Sequence, residues 1–280
     1  MKKFICAITG TNGYLGSKIQ NFLEKNGCKV FSLNRRDKRN PFILGETNID
    51  KKWFSDNKIE VLIHCAYDFS VIDWNCIHTR NVVGSISLLN TAAESGVKKL
   101  IFISSMSAYE GCHSLYGQAK LEVEKKVLEL KGWVLRPGLI VGKQAAGIVG
   151  SMQKLIKLTP IIPLIGSGNQ ILYLSHENDL IASIYQTVKS SEEAPFFSIT
   201  TANATPRTFK EILIMLAQQH GRSPILIPLP WRAVWFLFKI MEIFKFSLSF
   251  RSDSIISLMY QNPSPDFSKE IVFFRDCKKL

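Results

Sequence analysis

The sequence predicts an α/β fold: a doubly wound parallel sheet covered by helices, with a smaller, mainly helical C-terminal region. Three observations predict it. Apolar runs of strand length alternate with segments of helical periodicity through the first half of the chain. A glycine-rich turn joins the first run to the first helix. Hydrophobic residues make up 46% of the 280 positions and charged residues 21%, which suits a large core and argues against wholesale disorder.

In order, Phe4–Thr9 reads as a buried strand, Tyr14–Asn26 as a helix stopped by Gly27, and Lys29–Asn34 as the second strand. Phe42–Ile49 is a weak third strand, short and holding Gly45. Val61–Ala66 is a strand, Trp74–Ser95 a long helix ended by Gly96, Lys99–Ser104 a strand, and Leu115–Leu130 a helix. Trp133–Arg136 is a strand stopped by Pro137. The pattern then loosens. Gly147–Leu158 looks helical, and Pro160, Pro163, Gly166 and Gly168 mark a loop. Leu172–Leu174 and Phe196–Ile199 are short strands on either side of a helix at Asn178–Lys189. Thr208 with Glu211 forms a capping-box pattern for a helix over Phe209–His220. Ile225–Ile227 is extended, and Trp231–Phe246 is a very apolar helix.

Composition bounds the partners. Lys and Arg number 35 against 23 acids, a net charge of +12, which points to an anionic partner. The cations are scattered, and the densest cluster, Arg35, Arg36, Lys38 and Arg39, is short. A phosphorylated small molecule therefore fits better than nucleic acid. Cys6, Cys28, Cys65, Cys76, Cys112 and Cys277 form no C-x-x-C and read as reduced thiols of a cytoplasmic protein; the five histidines show no metal-ligand spacing, so no metal is expected. Lys2, Lys3 and the apolar run Phe4–Ile8 mimic a signal peptide, but the run is too short for one. No apolar stretch reaches the ~18 residues of a spanning helix.

Thr9-Gly10-Thr11-Asn12-Gly13-Tyr14-Leu15-Gly16 lies between the first strand and the first helix. Gly10 suits a tight turn, Gly13 lets backbone approach a pyrophosphate, and Gly16 lets helix and sheet pack closely. Amides at the helix start would then hold the phosphates. This is a Rossmann-type dinucleotide site, placing a dinucleotide-binding domain at 1–165 and a substrate region at 166–280, with elements around 172–200 returning to the sheet. At the end of the second strand, where an acid would hold the ribose of NAD, stand Asn34, Arg35 and Arg36. A guanidinium there suits a 2′-phosphate, so NADP(H) is favoured, with NAD(H) as the alternative.

The strand Lys99–Ser104 delivers Ser104, Ser105, Met106 and Ser107 at its carboxyl end. Tyr116 and Lys120, at i and i+4, share one helix face. A phenol with a reference pKa of ~10 needs help to act near neutrality. A nearby ammonium favours phenolate, and a serine hydroxyl can hold the reacting oxygen.

Together these residues resemble the extended short-chain dehydrogenases/reductases, in the nucleotide-sugar epimerase/dehydratase branch, over residues 1–143. His64-Cys65-Ala66 is similar to that family's H-x-A segment beside the nicotinamide. Asn81-Val82-Val83-Gly84-Ser85 resembles its N-V-x-G-T segment. Ile103–Tyr109 matches the strand end whose second serine is catalytic, which implies Ser105. Tyr116-Gly117-Gln118-Ala119-Lys120 with Glu124 resembles Y-G-x-S-K-x-x-x-E, and Arg136-Pro137-Gly138 with Gly142 resembles R-P-G-x-x-x-G. Gly166–Gln170 and Asp179-Leu180 are similar to its substrate loop and D-L-A helix. The resemblance implies Ser105, Tyr116 and Lys120 as the catalytic set. It implies cofactor contacts at Gly10, Asn12, Gly13, Tyr14, Leu15, Gly16, Asn34, Arg35, Arg36, Cys65, Ala66, Asn81, Ser104, Tyr116, Lys120 and Pro137.

Substrate contacts are expected at Tyr67, Ser105, Met106 and Ser107, with Arg251 for a diphosphate. Met106 and Ser107 replace the acid pair of dehydratases, which argues against dehydration; Arg35 and Arg36, suited to NADPH, then favour a 4-keto sugar reductase over a 4-epimerase holding NAD. Two further alternatives are a non-enzymatic NADP(H) sensor and a membrane-surface protein. The Trp231–Phe246 helix either packs against the substrate region or a second subunit, or docks on a membrane surface through its apolar residues and Arg232, Lys239 and Lys245.

Overall fold

The computed structural model describes residues 3–36, 41–143, 145, 147–244 and 251–268. Lys38, Arg39, Lys245, Phe246 and Cys277 lie outside the described residues.

β1 (Ile5–Thr9) runs through the glycine turn into α1 (Tyr14–Lys25) and then β2 (Lys29–Leu33). α2 (Lys51–Asp56) precedes β3 (Val61–His64). α3 (Trp74–Ile77), a π-helical segment (His78–Val83) and α4 (Gly84–Glu94) form one helical run before β4 (Lys99–Ile103). α5 (Leu115–Glu129) leads to β5 (Trp133–Arg136) and β6 (Leu139–Val141). The second half continues as α6 (Gly147–Leu158), β7 (Ile161–Ile165), β8 (Ile171–Leu172), β9 (Leu174–His176), α7 (Glu177–Lys189), β10 (Ile199–Thr200), β11 (Arg207–Thr208), α8 (Phe209–Gln218), β12 (Ile225–Leu229), α9 (Trp231–Ile243) and α10 (Ser252–Met259).

The main sheet is parallel throughout, in the order β2-β1-β3-β4-β5-β10. Its strands are continuous apolar runs because both faces are covered. On one side Phe54, Leu89, Phe102 and Val127 pack under α2, α4 and α5. On the other, Ile19, Leu23, Ile184 and Val188 pack under α1 and α7. The chain runs outward from β1 to β2, then crosses back to β3. The crevice beyond the carboxyl ends of β1 and β3 is thus a switch point, where open α/β sheets place ligands.

The second half is made of smaller pieces. Three two-stranded ribbons, β6–β9, β7–β12 and β8–β11, accompany the helices. Ile156, Ile162, Leu213 and Ile255 form a third core, with Trp231 and Trp235 of α9 packed against it.

Several details differ from the sequence reading, among them the following. Phe42–Ile49 forms no strand: among the described residues one bridge, Asn34 to Pro41, joins the sheet edge there. The segment turns instead, with the Thr47 N–H on the Ile43 carbonyl at 2.8 Å, and Phe42 and Leu44 are buried. Residues 161–165 are a strand although Pro160 and Pro163 read as loop. Among the described residues β7 pairs only with β12, and an edge position tolerates a residue without an N–H. α2 and α10 were unread; Asp50 caps the first through the Lys52 N–H. The capping box of Thr208 and Glu211 forms as read.

Candidate active site

The glycine turn is shaped by close approach. Gly10 has φ +74°, and a Cβ there would lie 2.9 Å from the Ala66 backbone. A Cβ on Gly16 would lie 2.3 Å from the Gly10 carbonyl oxygen. Any larger residue at either position would push α1 away from the sheet. Gly13 is the N-cap of α1 and supplies no side-chain acceptor to its first turn. Thr9, not singled out from the sequence, ties this turn to β3: its Oγ1 accepts the Cys65 and Ala66 N–H groups, both at 3.1 Å.

Asn34 bolts the end of β2 to the same turn. Its Nδ2 donates to Thr11 Oγ1 at 2.9 Å, and its Oδ1 accepts Asn12 Nδ2 at 3.0 Å and the Arg36 N–H at 2.8 Å. Arg35 and Arg36 are exposed. The residues therefore fit a dinucleotide: a backbone cradle that any Cβ would fill, at a helix start, beside two cations. Leu15 packs into the core on the α1 side of the sheet, and Tyr14 lines the cavity described next, its hydroxyl donating to buried Glu177. Lys18 reaches the same carboxylate at 3.0 Å.

A cavity of about 990 Å³ opens beyond the strand ends. Tyr67, Ser105, Met106, Ser107, Tyr116, Pro137 and Arg251 all line it. Gly117 makes this possible: a Cβ there would sit 2.2 Å from the Ser107 carbonyl, so its absence lets α5 lie against the loop after β4. Tyr116 is thereby hydrogen-bonded to Ser105, whose Oγ also accepts the Ser107 N–H at 3.1 Å.

Burial pushes the Tyr116 phenol up to about 12; the Ser105 hydrogen bond pulls it down, and the Glu124 carboxylate adds to the rise. Lys120 is buried, and its Nζ donates to the Ile103 carbonyl at 2.8 Å. It lies 5.8 Å from the Tyr116 ring centroid and 4.6 Å from that of Phe102. Burial lowers its pKa to about 8, against the pull of Cys65 and Glu124. Burial, which disfavours the charged phenolate, is the largest influence on the phenol here. Phe69, missed in the sequence, completes an aromatic wall: its ring stacks on Tyr116 at 5.9 Å and meets Tyr67 at 4.7 Å.

Two of the named residues sit behind the cavity. The Ser104 hydroxyl donates to Glu124, which holds Arg136 through both carboxylate oxygens. Asn81 is buried, and its amide accepts the Asp68 N–H at 2.6 Å and donates to the Asp68 carbonyl at 3.2 Å. It fixes the loop after β3 through a chain that continues via Ser85 and His64 to Thr9. Burial and the Lys120 charge lower the His64 pKa to about 3, so this chain stays neutral.

The second half closes the site. Asp253 of α10 accepts the backbone N–H groups of Leu115 and Tyr116 at 2.9 and 3.0 Å, so a carboxylate caps the helix that carries the phenol. The Arg251 guanidinium donates to the Val71 carbonyl at 2.8 Å while lining the cavity. Glu242 of α9 holds α10 through the N–H and hydroxyl of Ser252, both at 2.8 Å. None of these acids carries a local motif. In this stretch the sequence reading names Arg251 alone.

Known proteins resemble this chain at low identity. A ceramide reductase of Caulobacter vibrioides is 25% identical over 240 residues, covering 81% of this chain and 74% of the relative. A UDP-glucose 4-epimerase of Vibrio cholerae is 24% identical over 255 residues, covering 78% and 77%. The structure of a dTDP-4-dehydrorhamnose reductase from Bacillus anthracis in complex with NADP superposes with a TM-score of 0.70 at 17% identity, covering 91% and 98%. The model of the NAD dependent epimerase/dehydratase family matches residues 6–195, and the chain belongs to that enzyme family.

Proposed function

We propose that this chain is an NADP(H)-dependent reductase of a 4-keto nucleotide sugar. The carrying observation is an exposed Arg35–Arg36 pair, joined through Asn34 to the glycine cradle, on the same sheet edge as the Ser105–Tyr116 hydroxyl pair. When bound, a reduced nicotinamide supplies the hydride that goes to the carbonyl carbon. Tyr116 gives its phenolic proton to the carbonyl oxygen, and Ser105 holds that oxygen during the transfer. Lys120 supplies positive charge beside the ring and a donor for the ribose. Arg251 and Lys239, both lining the cavity, face the substrate's diphosphate.

Dehydration would need a free acid beside the hydroxyl pair. Met106 and Ser107 cannot supply it. The two carboxylates that line the cavity are both engaged, Asp253 on the start of α5 and Glu242 on Ser252.

A second reading keeps the chemistry and changes the substrate to an amphiphilic ketone. It is favoured by the ceramide reductase similarity and by the apolar wall of Ile72, Ile171, Leu172, Trp231 and Trp235. The test is to follow reduced-cofactor absorbance in purified protein given NADPH or NADH with a panel of 4-keto nucleotide sugars and long-chain ketones. The first reading expects NADPH loss with a 4-keto nucleotide sugar. Loss with the long-chain ketones alone establishes the second. A protein that holds NAD tightly and interconverts UDP-hexose 4-epimers without added cofactor overturns both.

A further inference from the structure

α9 carries two apolar stripes where a surface helix of a folded domain needs one. Trp231, Val234, Trp235 and Phe238 form the inner stripe and pack on the third core. The outer stripe holds Ala233, Phe236, Leu237 and Ile240; Phe236 is 60% and Leu237 54% exposed. The strand that feeds this helix behaves likewise. In the β7–β12 ribbon, Ile162 and Leu164 point into the core, while Ile225 is 60% and Ile227 44% exposed. Exposed apolar surface of this kind marks an interaction site rather than a folding requirement.

Charge decides what covers it. The sequence has no Asp or Glu at 144–176 or at 212–241. Lys154 and Lys157 are exposed at the end of α6, just before the ribbon, and Arg222 is exposed just before β12. At 100° per residue, exposed Arg232 falls on the flank of α9 between its two stripes. From there its long cationic side chain can reach headgroups while the apolar stripe is buried. The one carboxylate of α9, Glu242, is buried against Ser252. A second copy of this chain would bring the same cations face to face, which disfavours self-association through this surface. Among the described residues no helix is long and apolar enough to cross a membrane. At 13 residues, α9 is about 20 Å long and can lie in an interface but not span one.

We propose that the outer faces of α9 and of the β7–β12 ribbon dock on the surface of an anionic phospholipid bilayer. The inner stripe of α9 supplies Trp231 and Trp235 to the cavity wall, so docking sets the open site beside the lipid headgroups. The inference is independent of which substrate is reduced.

The test is sedimentation of the full chain with vesicles of phosphatidylcholine alone or mixed with phosphatidylglycerol. Binding is expected to the mixed vesicles, weakening as salt rises. Phe236→Ser with Leu237→Ser should reduce partition by roughly tenfold or more. Neither side chain lines the cavity, so circular dichroism and cofactor affinity should stay unchanged. Phe236→Trp should restore binding to the wild-type level or above. The proposal is overturned if wild-type protein stays in the supernatant with anionic vesicles, or if the double serine variant binds as well as wild type. It is equally overturned if that variant instead dissolves a dimer that shows no affinity for vesicles.

Discussion

The sheet half and the C-terminal half differ in how their side chains are held. β1, β3 and β4 are covered on both faces, and the polar groups at their ends are locked in chains such as Thr9–His64–Ser85–Asn81. The longest ribbon of the second half, β7–β12, is covered on one face only. The second half meets the chemistry through a few long-range contacts: Asp253 on α5, Arg251 on Val71, and the Tyr109 hydroxyl on the Tyr260 carbonyl at 3.1 Å. The contrast separates reactivity from selectivity. On the function proposed above, the proton donor Tyr116 stands on α5 and Ser105 just after β4, both in the rigid sheet half, while the walls for the rest of the substrate stand on pieces that can vary without disturbing them.

The comparison breaks most visibly at Tyr116. Tyr116→Phe removes the proton donor and leaves the cradle intact, so turnover should fall by about 10²–10⁴ while NADPH affinity stays within about twofold. Single-turnover kinetics with cofactor titration checks this. Turnover near the wild-type level would place the proton donor elsewhere.

The next effect sharpens the sheet half alone. Arg35→Ala with Arg36→Ala removes charge-assisted contacts worth about 1.5–3 kcal/mol, or roughly 10–150-fold in NADPH Kd. NADH binding should barely move. Equal losses for both cofactors would make the two arginines a solvated turn.

Asp253→Asn probes the seam between the halves. The variant keeps the shape and removes the charge at the start of α5, a contribution of about 1 kcal/mol. kcat should fall by about tenfold with NADPH affinity preserved. Loss of cofactor binding with kcat intact would show that α10 braces the fold without positioning Tyr116.

The smallest effect is one of pH. Lys120 has a folded pKa of about 8, below its ordinary value. Between pH 8 and that value the unfolded chain binds the proton and the folded chain does not, so its contribution to stability rises with pH. Reduction should show the opposite trend, falling as Lys120 loses its charge through about pH 8. Tyr116, pushed up to about 12, keeps its proton across this range. Lys120→Arg should remove that alkaline limb. A limb unchanged in the variant would assign it to another group.

The same contrast explains what was legible in the sequence. The glycine turn, the Ser105 strand end and the Tyr116–Lys120 pair are local patterns, fixed by spacings of a few residues, and each lies where expected along the switch-point edge. The roles of Ser104 and Asn81 were less legible. Sequence order places them in the right segments, but burial directs one to Glu124 and the other to Asp68. Asp253 acts on a helix start 138 residues away, and no periodicity records a contact of that range. The β7 strand was masked by Pro163, whose missing N–H matters only where a second neighbour strand exists. The doubtful strand at 42–49 failed for the converse reason. Its apolar residues, Phe42 and Leu44, are core anchors of a turn.

The central claim is that the Ser105–Tyr116 edge carries out net reduction with hydride from NADPH. The most direct measurement is the fate of deuterium from NADPH labelled at the transferable position, read by mass spectrometry of the product of a 4-keto nucleotide sugar. One deuterium per product on the new carbinol carbon, with one NADPH consumed, is the predicted result. Product formed without cofactor consumption, carrying no deuterium, would contradict the account and make the chain an epimerase.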